Sequence, residues 1–248
     1  MALLEARDVT VRFGGITAVS GASLTVEPGQ VQGLIGPNGA GKTTTFNVIS
    51  GLQPPTEGRI LIDDEDVTER PPHERARRGM ARTFQRLEVF GSLTVRENVL
   101  AAAEFRGSWD KQADDDPHLV ADELLERVGI SSFAPVAADS VPTGIARLTE
   151  LARALAIRPR LLLLDEPSSG LNEDESENLG EVLLSLAAEG MGVLMVEHDV
   201  DLVMQVCSWI DVLDFGQIIA SAEPAVIRED PRVQAAYLGA EADEEATA

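Results

Sequence analysis

Apolar and polar residues alternate in short runs over residues 3–31, interrupted at Gly14-Gly15 and Pro28-Gly29. A period of two broken by turn residues predicts strands joined by hairpins, so the chain opens with a β-rich layer. Residues 31–35 are a short apolar run that ends in glycines, and residues 42–49 have helical character up to Gly51. Strand, glycine loop and helix follow one another there. Residues 59–67 read as a further strand pair, 72–78 as a short helix and 80–84 as a strand. The pattern then changes: residues 94–105, 118–128 and 144–157 are rich in alanine and leucine at helical spacing, with a polar loop at 107–117. Residues 86–153 therefore read as a mostly helical lobe.

Alternation of strand and helix resumes at residues 160–165, 173–188, 192–197, 200–207 and 210–213. Such alternation predicts a parallel sheet with helices on both faces. The chain divides into a core of residues 1–85 and 154–222, the inserted lobe at 86–153 and an extension at 223–248. Within the extension, residues 231–239 predict a short helix and 240–248 a fraying end.

Composition narrows the function. The 248 residues suffice for a sizeable single core, and one cysteine, Cys207, excludes a disulfide framework. Cys207 lies in an apolar stretch and reads as a buried spectator in a reducing compartment. A net charge of -22 disfavours nucleic acid as a partner. The acidic excess, including residues 241–245, reads as a solvated surface. Charges begin at Glu5, so the N-terminus lacks the apolar core of a secretory signal. The purely aliphatic stretches, such as 161–164 and 193–196, fall far short of the roughly 18 apolar residues of a membrane span. Membrane contact is expected to pass through a partner.

The glycine loop carries the first chemistry. Gly36, Pro37, Asn38, Gly39, Ala40, Gly41, Lys42 and Thr43 satisfy G-x-x-x-x-G-K-[ST] between a predicted strand and a predicted helix. Glycines let the backbone curl so that its N–H groups and the positive end of the helix converge on phosphate oxygens. Lys42 is positioned for the β- and γ-phosphates, Thr43 for Mg²⁺, and Thr44 lies alongside. Four leucines, 161–164, then deliver Asp165 and Glu166 to the exposed end of a buried strand. Asp165 is expected to bind Mg²⁺, directly or through water, and Glu166 to orient and deprotonate a water molecule. The fold class is thus α/β: a phosphate-loop NTPase core with a parallel sheet flanked by helices, an antiparallel β layer and a helical lobe.

With these residues in place, the chain resembles the nucleotide-binding subunits of ABC transporters over nearly its whole length. Phe13, in Val-Arg-Phe-Gly-Gly, stands where the family stacks adenine on an aromatic ring. Gln85, in Arg-Thr-Phe-Gln, matches the glutamine that links metal and attacking water to the helical lobe. The residues after it, including Val89, Phe90, Leu93 and Thr94, match the segment that contacts the membrane subunit. Ser169-Gly170-Leu171-Asn172 occupies the place of the loop that communicates across the dimer, with Asn172 where many members have aspartate. His198 matches the histidine that senses the γ-phosphate.

The signature region is Val141-Pro142-Thr143-Gly144-Ile145, where the family has Leu-Ser-Gly-Gly-Gln. Gly144 alone is kept literally, and Thr143 offers a substitute hydroxyl. The following Glu-Leu-Ala-Arg-Ala-Leu, from Glu150, resembles the family closely. Arg-Thr-Phe-Gln at 82–85, Leu-Thr-Val-Arg-Glu-Asn-Val from 93, Val-Glu-His-Asp from 196 and Ala-Tyr-Leu-Gly from 236 are most similar to subunits of branched-chain or hydrophobic amino-acid importers. Urea importers and the lipopolysaccharide-export ATPase share parts of this pattern.

The resemblance implies an ATPase that uses ATP and Mg²⁺ and works peripherally at the cytoplasmic face of the membrane. It implies permease subunits, an indirect link to a solute-binding protein, and a head-to-tail dimer with each ATP between one phosphate loop and the opposite signature. The dimer is a homodimer or, given the altered signature, preferably a heterodimer. Other readings are a soluble ABC-type switch or assembly factor, and a small-molecule kinase, which would lack the signature, Gln85 and His198 elements.

Overall fold

The computed structural model describes residues 1–110 and 115–237. The chain opens with β1 (Leu4–Phe13) and β2 (Ile16–Val26), which pair antiparallel across the Gly14-Gly15 turn. β3 (Val31–Ile35) is buried along all five residues and runs through the glycine loop into α1 (Lys42–Ser50). Gly51 ends α1 in the left-handed conformation at φ 81°, and its N–H returns to the Asn47 and Val48 carbonyls. β4 (Glu57–Ile62) and β5 (Glu65–Asp66) come back beside β1, giving a four-stranded antiparallel sheet in the order β2-β1-β4-β5.

After α2 (Pro72–Arg77) and β6 (Met80–Arg82) come α3 (Val95–Gly107), α4 (Pro117–Arg127) and α5 (Thr143–Ala156), with a 3₁₀ turn at Ser131–Phe133. Thr94 begins α3 with a reciprocal capping box to Glu97, and Asp116 caps α4 ahead of Pro117. The polar loop read at 107–117 falls between α3 and α4, and residues 111–114 of it lie outside the described residues. The remainder is β7 (Leu161–Asp165), α6 (Glu173–Ala188), β8 (Gly192–Val196), α7 (Val200–Val206), β9 (Trp209–Asp214), β10 (Gln217–Ala222) and α8 (Pro224–Glu229). Residues 231–237 are helical, whereas the fraying expected at 240–248 falls outside the described residues.

The second sheet has six strands in the order β10-β9-β3-β8-β7-β6, with β10 antiparallel at its edge. The sheet separates two apolar cores. Leu161 and Leu163 of β7 join Phe46, Val48 and Ile49 of α1 and the inner residues of the antiparallel sheet. Leu162 and Leu164 face the other way, into the core built with α3, α5, α6 and α7. A strand buried on both faces has no polar alternation, which is why 161–164 reads as four leucines. Each is worth about 1.5–3 kcal/mol in burial. The cover expected from helices alone is, on the α1 face, shared with the antiparallel sheet.

Three differences from the sequence reading have physical reasons. β6 ends at Arg82, two residues short of the strand read there, because the chain turns away after the Thr83 N–H reaches the Leu163 carbonyl at 2.9 Å. β10 and α8 were not anticipated, since β10 is an edge strand with mixed exposure and α8 is a six-residue helix. Arg75 of α2 is almost fully buried, donating to the carbonyls of Val48, Ile49, Thr68 and Arg70 at 2.7–2.9 Å. It satisfies carbonyls near the C-terminal end of α1, and burial pulls its pKa down to about 10. Cys207 is buried and its thiol is pushed up to about 12 by that burial, as suits a spectator.

Candidate active site

The glycine loop is shaped by backbone conformations that side chains resist. Gly36, Gly39 and Gly41 have φ of 148°, 77° and 107°. A Cβ on Gly36 would collide with the Leu213 carbonyl of β9, and one on Gly41 would stand 2.6 Å from the Ala18 carbonyl of β2. The loop is therefore pinned between β9 and β2, and the Gly216 N–H donates to the Ala40 carbonyl at 2.9 Å. Lys42 folds back to donate from Nζ to the Gly36 and Pro37 carbonyls at 2.6 and 2.9 Å. Burial pulls the Lys42 pKa down, while Glu166 and Asp165 push it up. Thr43 is exposed and Thr44 half-buried on the first turn of α1, while Asn38 and Gly39 are exposed at the loop's crest.

Asp165 ends β7 and is buried. Its Oδ2 accepts from Arg82 Nη2 at 3.1 Å, and its N–H donates to Thr83 Oγ1 at 3.3 Å. Burial raises the Asp165 pKa, and the Arg82 guanidinium opposes that rise. One residue on, Glu166 has a left-handed backbone at φ 51°, with its N–H on the Val196 carbonyl at 2.8 Å. The turn swings its side chain out of the sheet. There Oε1 accepts from Gln85 Nε2 at 3.0 Å and meets His198 Nε2 at 3.1 Å. Two side chains, 81 positions before and 32 after Glu166, thus converge on one of its carboxylate oxygens.

Two supports were not legible as site residues in the sequence. Glu197 is buried and accepts from the N–H groups of Ser168 at 2.7 Å and His198 at 2.9 Å, tying the loop after Glu166 to the one that carries His198. Its signal was a carboxylate ending an apolar strand, one residue before the histidine. Arg147 of α5 donates to the Phe84 carbonyl at 2.7 Å and to the Gln85 carbonyl. Glu150 accepts from the Glu88 N–H at 2.6 Å and pairs with Arg147 at 3.2 Å, and Arg153 donates to the Glu88 carbonyl. The segment that carries Gln85 is thereby held by three side chains of α5, spaced one helical turn apart.

Phe13 is half exposed at the end of β1 and pairs with Ile16 of β2, the strand whose Ala18 carbonyl packs on Gly41. As an isolated aromatic it reads more readily as core; its exposure says otherwise. Thr143 and Gly144 open α5 beside the loop at 169–172: a Cβ on Gly170 would stand 2.7 Å from Thr143 Cγ2, and one on Gly144 would meet the Glu175 carboxylate. Pro142 precedes them as an N-cap without a side-chain hydrogen bond. The structure thus gathers Gln85, Glu166 and His198 on one oxygen and holds Lys42 and Asp165 near it, with Thr143 and Gly144 on a separate edge.

Thr43, Gln85 and Asp165 offer hydroxyl, amide and carboxylate oxygens, the hard donors that suit Mg²⁺. Gln85 spends its Nε2 on Glu166, which leaves its amide oxygen for such an ion.

The chain is similar to known proteins over nearly its whole length. The family model described as ABC transporter matches residues 19–169, and the one described as branched-chain amino acid ATP-binding cassette transporter matches residues 217–243. The high-affinity branched-chain amino acid transport ATP-binding protein BraF of Pseudomonas aeruginosa is 39% identical, over 96% of this chain and 98% of its own. The lipopolysaccharide export system ATP-binding protein LptB of Haemophilus influenzae is 37% identical over the same shares. Among solved structures, the ADP conformation of MJ1267, an ATP-binding cassette of an ABC transporter, superposes with a TM-score of 0.84 at 30% identity, covering 96% of this chain and 99% of that one.

Proposed function

Because this chain belongs to the ABC transporter family as an ATP-binding subunit and ATPase, we propose that it powers uptake of branched-chain or other hydrophobic amino acids. The observation that carries the hydrolytic reading is the convergence of Gln85 and His198 on Oε1 of Glu166, beside the phosphate loop. The importer reading draws on BraF and on the match of the C-terminal residues to the branched-chain amino-acid family.

The roles proposed combine the family resemblance with this geometry. Phosphate-loop N–H groups and Lys42 hold the β- and γ-phosphates of ATP, and Phe13 stacks on adenine. Thr43, Gln85 and Asp165 would hold Mg²⁺, which would supply positive charge beside the phosphates when bound. Glu166 takes the proton of the attacking water through Oε1, Gln85 fixes the orientation of that carboxylate, and His198 holds the γ-phosphate edge. Residues 1–85 and 154–222 act as the nucleotide core, 86–153 as the lobe and 223–248 as an extension.

Among the described residues no helix is long and apolar enough to cross a membrane. As in the family it belongs to, the chain is proposed to reach the membrane through permease subunits at its cytoplasmic face. A groove of about 340 Å³, lined by Leu52, Met80, Phe84, Ala102, Arg153 and Ile157, lies beside the segment after Gln85 and suits a docked permease helix. Phe90 is half exposed next to it, and Val89, Leu93 and Thr94 are partly buried. A solute-binding protein acts through those permeases.

The dimer is preferably a heterodimer. Pro142 brings neither hydroxyl nor N–H to the edge at the start of α5, so a partner with a full signature completes the site built on Lys42, Asp165 and Glu166. The test is to reconstitute the chain with the permeases and ATPase subunit encoded beside it, and to follow uptake of radiolabelled leucine with ATP. Glu166→Gln in this chain is expected to abolish uptake, and the equivalent change in the partner to leave most of it. Equal losses refute the asymmetry. A chain that stays fully soluble when expressed with its genomic neighbours, none of them a polytopic membrane protein, refutes the transporter reading in favour of a soluble switch, and lipid export without uptake favours the export reading.

A further inference from the structure

Arg82 belongs to none of the roles above, yet it is the most heavily engaged cation beside the site. Its side chain is 7% exposed, against 3% for Asp165, to which it is ion-paired at 3.1 Å. Its Nη1 donates to Asn47 Oδ1 at 2.8 Å and to Ser50 Oγ at 2.7 Å, both on α1. The guanidinium carbon lies 5.6 Å from the Phe46 ring and 5.0 Å from the Phe84 ring, so the fork is held in place between two aromatic side chains.

The elements joined here matter more than the pair itself. α1 carries Thr43 on its first turn, and β7 ends in Asp165. One planar group thus spans the two elements from which two of the proposed Mg²⁺ ligands project. No other side-chain hydrogen bond among those described links α1 to Asp165. The guanidinium presents its donors in a fixed plane, so it sets a spacing; a lysine ammonium is a single point and cannot reach both sides in the same way. A burial cost is visible in the Nε of Arg82, which is buried without an acceptor. Removing one partner of a buried pair leaves the other charge uncompensated, so Arg82 serves as the counter-charge of Asp165 as well as fixing where that carboxylate sits.

We propose that Arg82 is a positioning residue that fixes the separation of Thr43 and Asp165 and thereby sets the affinity of the nucleotide site for Mg²⁺. The proposal rests on the reading of Asp165 as a metal ligand. The affinity of a small ion that demands near-ideal octahedral geometry falls when two of its ligands lose their spacing, whereas phosphate held by the loop and Lys42 does not depend on that spacing.

The experiment measures binding of a fluorescent, non-hydrolysable ATP analogue to the full chain, with Mg²⁺ and with chelator, and takes the ratio of the two dissociation constants. Arg82→Met keeps an unbranched apolar stem without the fork, and Arg82→Lys keeps the charge. Both are expected to shrink the Mg²⁺-dependent tightening about tenfold or more while leaving binding in chelator within about threefold. Should the Met variant fail to fold, the Lys variant alone decides. Asp165→Asn is the control. If Asp165→Asn removes the tightening and the Arg82 variants keep it, the proposal is overturned and the site reading stands. If Asp165→Asn also keeps it, the metal-ligand reading falls and the proposal with it. A purely structural role for Arg82 predicts parallel weakening in both conditions and an unchanged ratio, which likewise overturns the proposal.

Discussion

Glu166→Gln isolates the proton-accepting role from every other role of that side chain. The amide has the same size, and its oxygen still accepts from Gln85 Nε2, which now lies 3.0 Å from Oε1. The left-handed turn at φ 51° and its N–H bond to the Val196 carbonyl belong to the backbone and stay. What is lost is a basic oxygen next to the water, worth about 10²- to 10⁴-fold in rate for general-base catalysis. That corresponds to about 3–5 kcal/mol in the barrier. The neighbouring carboxylate cannot take over, because Asp165 is buried and its Oδ2 is paired with Arg82. ATP binding depends on the loop and Lys42, so it is expected to stay within about threefold while ATP-bound dimers accumulate. The assay pairs phosphate release by the assembled transporter at saturating ATP with analogue binding by the chain alone. A rate loss below about tenfold refutes the assignment of Glu166 as base, and a parallel loss of binding refutes the separation of roles.

Two further outcomes follow from packing and burial. Phe90 is half exposed with its ring 4.7 Å from the Arg153 guanidinium, so Phe90→Asp is expected to leave ATP binding intact and to reduce co-purification with the permease about tenfold or more; unimpaired assembly and transport would count against that docking surface. Asp211 of β9 is buried, held by Gln32 Nε2 and by Ser221 Oγ at 2.5 Å, and burial raises its pKa. A carboxylate with a raised folded pKa contributes stability that is complete below its ordinary value and is lost as pH climbs through the raised one. Asp211→Asn removes that loss and can offer an N–H to Gln32 Oε1, which has no partner. The variant is expected to melt about 2–4 °C higher at pH 7.5 for each kcal/mol relieved, with the gain gone near pH 4. A lower melting temperature at pH 7.5 would refute it.

What was legible in the sequence was whatever local spacing encodes. The glycine loop between β3 and α1 is a contiguous string, and the four leucines before Asp165 advertise a strand buried on both faces. Helices α3, α4 and α5 were visible because an alanine- and leucine-rich composition agrees with the helical period. What stayed hidden depends on contacts between distant residues. Arg82 and Asp165 are 83 positions apart, and Arg147 reaches Gln85 across 62. No window of the chain contains either pair. Gln85 and His198 were found only through resemblance to a family, since a lone glutamine or histidine has no periodic signature. β10 escaped because an edge strand of mixed exposure carries little alternation.

The division of β7 between two cores constrains how the length of such a chain can change across related sequences. Leu161 and Leu163 point one way and Leu162 and Leu164 the other, and β7 pairs with β8 from Leu161 to Asp165 and with β6 from Leu161 to Leu163. A single inserted or deleted residue within this strand would turn the leucines on one side of it onto the opposite face and carry Asp165 out of register with Arg82. No later correction along the strand could restore both cores and the carboxylate together. Related sequences are therefore expected to differ in β7 by substitution and not by length.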